Sequence, residues 1–150
     1  MGKPFSLKEF KQIYSKVPRL TIELVVKTKK GIVLTLRDLP HWYNQWHIPG
    51  GTVLYNETIR RAATRISKEE IGVSVKIIKS IGFIEYPSER KERGYGRTIG
   101  LALLCKPESE KFKLNKEATK IAIFNKLPNN IISEQRKFLN FHLKQLRNRF

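Results

Sequence analysis

The order of segments in this chain predicts an α/β protein, an α/β/α sandwich in which a mixed β-sheet lies between helices. Three observations predict it. Stretches dense in β-branched and aliphatic residues recur at 20–27, 32–36, 73–86, 97–105 and 118–125. A helical repeat of apolar residues sits among them at 57–71, and another closes the chain at 133–147. The 150 residues, 40% of them hydrophobic, suit one domain, 1–150, with a core of its own.

Taken in order, Ser6 to Lys16 reads as a short helix. Ser6 caps it, Phe10, Ile13 and Tyr14 share one side, and Pro18 ends it. Leu20–Lys27 and Ile32–Leu36 form a hairpin about the turn Lys29-Lys30-Gly31. A loop, Leu39–Gln45, carries His41, Trp42 and Tyr43. Trp46–Ile48 is a short strand leading into Pro49-Gly50-Gly51. Asn56 is expected to cap the helix Glu57–Ile71, with Ile59, Ala62, Ala63 and Ile66 on its core face and Gly72 as its left-handed stop. Val73–Tyr86 is a strand with a break near Ser80-Ile81-Gly82. Pro87–Gly96 is a charged loop, Arg97–Cys105 a central apolar strand, and Lys106–Lys113 a loop or edge piece. Ala118–Asn125 is the last strand, and Pro128-Asn129-Asn130 turns the chain into the helix Ser133–Arg147, with Phe138, Leu139, Phe141, His142 and Leu146 along it.

The chemistry concentrates at 51–73. Glu57, Arg61 and Arg65 recur at four-residue steps, so a Glu57–Arg65 pair is within reach along one helix face. Glu69 and Glu70 emerge together at the last turn, where two carboxylates oppose the helix dipole unless a cation offsets them. Hard oxygen donors of this kind suit Mg²⁺, which keeps several waters and binds substrate phosphates through one or two carboxylates.

The spacing of Gly51, Glu57, Arg65, Glu69, Glu70, Gly72 and Val73 resembles the Nudix box, G-x5-E-x7-R-E-U-x-E-E-x-G-U with U aliphatic. Two positions depart from it: Ile66 stands in place of a Glu and Ser67 in place of an aliphatic residue. The resemblance implies a Nudix-type α/β/α sandwich and hydrolysis of a nucleoside diphosphate derivative with Mg²⁺, or Mn²⁺ in its place. It extends to Pro18–Val26, Leu36-Arg37 and Trp46–Gly51, which look like the GDP-mannose mannosyl hydrolase branch. That branch has an acidic residue in its first strand, an Arg twelve residues before the proline of the Pro-Gly-Gly turn, as Arg37 precedes Pro49, and an aliphatic residue where Ile66 stands. It attacks the sugar carbon and releases the nucleoside diphosphate.

Carried over residue by residue, the Gly50 carbonyl and Glu70 would be metal ligands with Glu69 close by. Arg37 would neutralise charge on the leaving group, and Glu23 would stand for the acidic strand residue. The branch also has a His base in the loop before its central strand. The matching loop here has none, so Glu89 and Glu92 are the alternative bases. His41, Trp42 and Tyr43 are candidates for contact with base or sugar, since every base offers a π face. The resemblance also implies a homodimer. Two other readings stay open, a pyrophosphohydrolase of nucleotides or capped RNA and a catalytically weak nucleotide- or RNA-binding module.

Composition bounds the rest. The net charge of +17, with 30 Lys and Arg, favours anionic partners, nucleotide or nucleic acid. No apolar run approaches a membrane span, and MGKPFSLKEF lacks the apolar region of a secretion signal. The single cysteine, Cys105, excludes an intrachain disulfide and a cysteine-based metal site. A cytoplasmic, reducing setting is the expectation.

Overall fold

A computed structural model describes residues 4–114 and 117–146. Its elements run α1 (Leu7–Tyr14), β1 (Arg19–Thr28), β2 (Gly31–Arg37), β3 (Trp46–His47), β4 (Gly50–Thr52), α2 (Ile59–Ile71), β5 (Val75–Glu85), α3 (Glu89–Arg93), β6 (Thr98–Pro107), β7 (Ala118–Phe124) and α4 (Ser133–Leu146). Arg147 and the side chain of Leu146 lie outside what is described, as do Met1 to Lys3.

The strands form one seven-stranded sheet in the order β3-β2-β1-β6-β5, with β4 added on β1 and β7 on β2. It is mixed, as expected: β1 and β6 run parallel from Arg19↔Thr98 to Val26↔Cys105, and the other pairs are antiparallel. β1 divides its remaining edge. Thr21, Ile22 and Glu23 pair with β4, and Lys27 and Thr28 pair with β2. The side-chain alternation of a strand then sorts the core into two layers. Ile22, Leu24 and Val26 meet Ala62, Ala63, Ile66 and Ile71 of α2, while Val25 joins Ile84, Tyr86, Leu104 and Leu139 on the α4 side. Cys105 is a buried strand residue, and burial pushes its thiol up to about 12.

Several local expectations change. The cap of α2 is Thr58, whose hydroxyl accepts from the Arg61 N–H. Asn56 instead takes a left-handed φ of 64° in the turn before it, so Glu57 precedes the helix. Ile59 is exposed, and Ser67 takes an inward place, its hydroxyl donating to the Thr64 carbonyl at 3.0 Å. That bond is why a serine is tolerated at an aliphatic position. The break expected near Ser80-Ile81-Gly82 is a shift of register, preceded by another between Ile77 and Lys79. The charged loop holds the short helix α3. Phe141 on α4 faces outward, while Leu139 carries the contact with the core. Among the described residues no helix is long and apolar enough to cross a membrane.

Candidate active site

Arg65 builds the first wall. Its Nε and Nη2 donate to the two Glu57 oxygens at 2.7 and 2.9 Å, Nη2 also donates to the Thr52 carbonyl at 2.8 Å, and Nη1 reaches Glu69 at 3.0 Å. Glu57 in turn accepts from the Leu54 N–H at 3.0 Å. One guanidinium thus locks β4, the loop after it and α2 together, and holds the Glu57 carboxyl below its ordinary range. Gly72 ends α2 in the left-handed region at φ 72°. Ile66 is buried and packs on Gly51, where an added Cβ would sit 3.0 Å from the Ile66 Cγ1. The side chain that replaces the usual Glu is therefore part of the core between β4 and α2.

Glu23 forms the floor. It is buried in β1, and β4 sets Gly50 opposite it. A Cβ on Gly50 would lie 2.5 Å from the Glu23 Oε2, and a Cβ on Gly100 would lie 2.6 Å from its Oε1, so both neighbours must be glycine for the carboxyl to fit. Thr21 and Tyr86 hydroxyls donate to Oε1 at 2.9 and 3.1 Å. Gln135 Nε2 donates to the Tyr86 hydroxyl at 2.9 Å, and the Ile48 N–H donates to Gln135 Oε1 at 2.7 Å. Burial pushes the Glu23 carboxyl up to about 7, with these hydrogen bonds and Arg19 and Arg37 opposing it.

Arg37 ends β2. Its Nε donates to the His41 carbonyl at 3.2 Å, and its guanidinium lies 5.6 Å from the Trp42 ring centre. Burial first, then the charge of Arg93, lowers it to about 10, while Glu117 and Glu70 pull it back up. Arg37 and the end of α2 therefore share one electrostatic neighbourhood. His47, beside it, is kept neutral. Its Nδ1–H donates to the Ile48 carbonyl, so Nε2 accepts from the Thr35 hydroxyl, both at 2.9 Å. Burial and Arg37 together lower it to about 3.

The loop residues separate. Trp42 is buried, its indole N–H donating to Ser88 Oγ at 3.1 Å and its backbone N–H to Glu92 at 3.0 Å, so this ring packs inside and does not present a stacking face. Glu92 is held by the same bond. Tyr43 is exposed, and His41 is half-buried with its ring edge-on to Trp42. Glu89, expected on a charged loop, is buried. It accepts from the Thr98 N–H at 2.7 Å and the Thr98 hydroxyl at 2.8 Å, with Arg93 at 3.4 Å and Arg19 at 3.8 Å. Both of its oxygens are committed to anchoring the loop. Sequence reasoning missed Tyr86 and Gln135. A Tyr at a strand end and a Gln in a first helical turn carry no signal until their elements are placed together.

Among the described residues no three His, Cys, Asp or Glu side chains converge on a metal position. The donor set of the Gly50 carbonyl, Glu70 and Glu69 still fits Mg²⁺, which asks few carboxylates of the protein and takes water and phosphate oxygens for the rest. Glu69 is bound to Arg65 and 41% exposed.

The NUDIX domain matches residues 17–138. The low-salt glycan biosynthesis protein Agl8 of Haloferax volcanii is 36% identical over 78 residues, which cover 52% of this chain and 50% of Agl8. The chain thus spans about half the length of that relative. Its fold is similar to that of a NUDIX hydrolase from Nitrosomonas europaea, with a TM-score of 0.76, 18% identity and coverage of 88% of this chain and 73% of the other. A MutT NUDIX hydrolase from Burkholderia pseudomallei gives 0.73 at 19% identity, over 83% of this chain and 97% of its own. With a domain match over most of its length, a box at the expected spacing and the sheet and helices in the same places, the chain belongs to the Nudix hydrolase family.

Proposed function

We propose that this protein is a divalent-metal hydrolase of nucleoside diphosphate derivatives. Its substrate is a nucleotide sugar of the GDP-hexose type, cut at the sugar carbon with release of the nucleoside diphosphate. The observation that carries this reading is Ile66. It occupies the place of the usual box carboxylate and is packed into the core against Gly51, so the site lacks the metal ligand or general base that carboxylate would supply for attack on phosphorus. What the site retains suits a leaving group: a cation at Arg37, within the electrostatic reach of Glu70. The glycan biosynthesis role in the name of the Haloferax volcanii relative points the same way.

When bound, Mg²⁺ on the Gly50 carbonyl, Glu70 and Glu69 would supply charge neutralisation at the diphosphate. Arg37, oriented by the His41 carbonyl and the Trp42 face, neutralises the negative charge that develops on the leaving diphosphate as the sugar–oxygen bond breaks. Glu23, fixed between two glycines and two hydroxyls, holds a carboxyl at the floor of the cleft. Tyr43 and His41 border the outer end, toward base or sugar. A dimer and a cytoplasmic location are part of the same reading, drawn from the family branch and from cysteine usage.

Hydrolysis of a GDP-hexose with Mg²⁺ in ¹⁸O-labelled water is the test. Label in the free sugar supports carbon attack. Label in a phosphate means phosphorus is attacked, and the enzyme is then a pyrophosphohydrolase.

A further inference from the structure

Three arginines converge near the charged loop. Arg19 begins β1, Arg37 ends β2 and Arg93 ends α3. Arg93 is the strongest cationic influence on each of the other two. Like charges held close in a partly buried setting repel unless counter-charge is supplied. Glu89 faces two of them, Arg93 at 3.4 Å and Arg19 at 3.8 Å, while its oxygens also accept from Thr98, and Glu117 and Glu70 act on Arg37.

Arg93 is the least satisfied of the three. Its Nε is buried with no hydrogen-bond acceptor, and Glu89 stands at 3.4 Å. Its guanidinium is held between aromatic rings, 5.5 Å from the centre of Phe10 and 5.9 Å from that of Tyr95. Arg19 is similarly fixed. It lies 5.2 Å from the Phe10 centre, and its nitrogens donate to the hydroxyls of Thr52 and Thr98 at 2.9 to 3.2 Å. None of the residues of α1 is buried, so rings from an otherwise superficial helix serve to hold these cations in place. A rigid group of planar donors, one of them still lacking a hydrogen-bond acceptor, is what recognition of a multiply charged phosphate requires, because the ordering cost has been met in advance.

We propose that Arg93, with Arg19 and Arg37, forms a binding site for the diphosphate group of the substrate, one that holds the anion independently of metal. This rests on reading the cleft as a site for a diphosphate derivative, and it adds Arg93 as the residue that selects diphosphate over a single phosphate. Its planar fork engages the anion, and its charge completes a cationic triad spanning three elements.

The experiment measures binding of inorganic pyrophosphate and inorganic phosphate by calorimetry in chelator-treated, metal-free buffer. Wild type is expected to bind pyrophosphate at least about tenfold more tightly than phosphate. Arg93→Gln should lose about tenfold or more in pyrophosphate affinity, in line with loss of one charge-assisted contact. Arg93→Lys should recover only part, because it keeps the charge and lacks the fork. A melt without ligand checks that the variants fold. If Arg93→Gln does not, the Lys variant carries the test. Pyrophosphate affinity unchanged in the folded variants overturns the proposal. So does an equal loss in Arg61→Gln, on the exposed side of α2, which would mean general surface attraction. Glu70→Gln should leave this metal-free binding intact. Pyrophosphate binding through Arg93 without turnover of any nucleotide sugar would defeat the functional reading and leave this site standing, whereas turnover with unchanged binding in Arg93→Gln would do the reverse.

Discussion

At the scale of single residues, the site depends on a few groups that the core holds in unusual states. Ile66 is the first. Ile66→Glu would place a carboxylate against Gly51 in the α2 layer and should cost about 3 kcal/mol, read as a lowered denaturation midpoint. Glu70→Gln keeps the size of the side chain and removes one charged oxygen. It should abolish most Mg²⁺-dependent turnover while the chain still folds, and Glu69→Gln should do less if Glu69, paired with Arg65, lies outside the metal's own ligands. His47 supplies a pH signature. Its folded value of about 3 lies below the ordinary 6.5, so between these limits the unfolded chain binds the extra proton. Its contribution to stability is therefore complete above about 6.5 and is lost as the pH falls toward 3, at about 1.4 kcal/mol per pH unit. His47→Gln should flatten the acid limb of a pH–denaturation series by about one proton. An unchanged limb would mean that the histidine is not held neutral.

At the scale of elements, the Arg65 junction and the glycine-lined floor divide the work. Arg65→Ala frees β4 from α2 and leaves Glu57 without its partner, and it should cost about 2 kcal/mol while also lowering turnover. Gly50→Ala tests the floor. The new Cβ would meet Glu23 and the Ile22 carbonyl, so the carboxyl must move, and turnover should drop at least about tenfold with a smaller effect on substrate affinity. The Glu57–Arg65 lock was legible in the sequence because both ends lie in one short stretch, although Glu57 reaches Arg65 from the turn before α2 and not along a shared helix face. The helix start was not legible. Asn56 and Thr58 are both good caps, and the choice between them was made by the left-handed turn at Asn56. Glu89 shows a different limit. On paper it is one charge in a run of charges, and only the return of the chain at Thr98 buries it. Trp42 is a similar case, since an aromatic loop residue reads as a stacking surface until Ser88 and Glu92 are brought to it from a distant part of the chain. The tether from Gln135 through Tyr86 to Glu23 joins three elements that share no local pattern, so no reading of spacing could have found it.

Over the whole molecule, the +17 charge and the parallel pairing of β1 with β6 act at different ranges. The charge works at a distance. It should draw an anionic substrate toward the protein, so raising salt from about 0.05 to about 0.3 M should raise KM several-fold and leave kcat nearly unchanged. A KM indifferent to salt would confine recognition to close contacts. The pairing of β1 works at contact. One strand carries Glu23, backs both core layers and gives edges to β2, β4 and β6. A change there alters foldability and chemistry at once, so such variants will seldom survive selection to be tried on new substrates. The evolutionary freedom of this protein lies instead in the exposed positions of the two segments 39–45 and 87–96, such as Tyr43, Asn44, Arg90 and Lys91. Laboratory lineages bred for a different sugar or base should gather their substitutions there and leave 19–28 untouched.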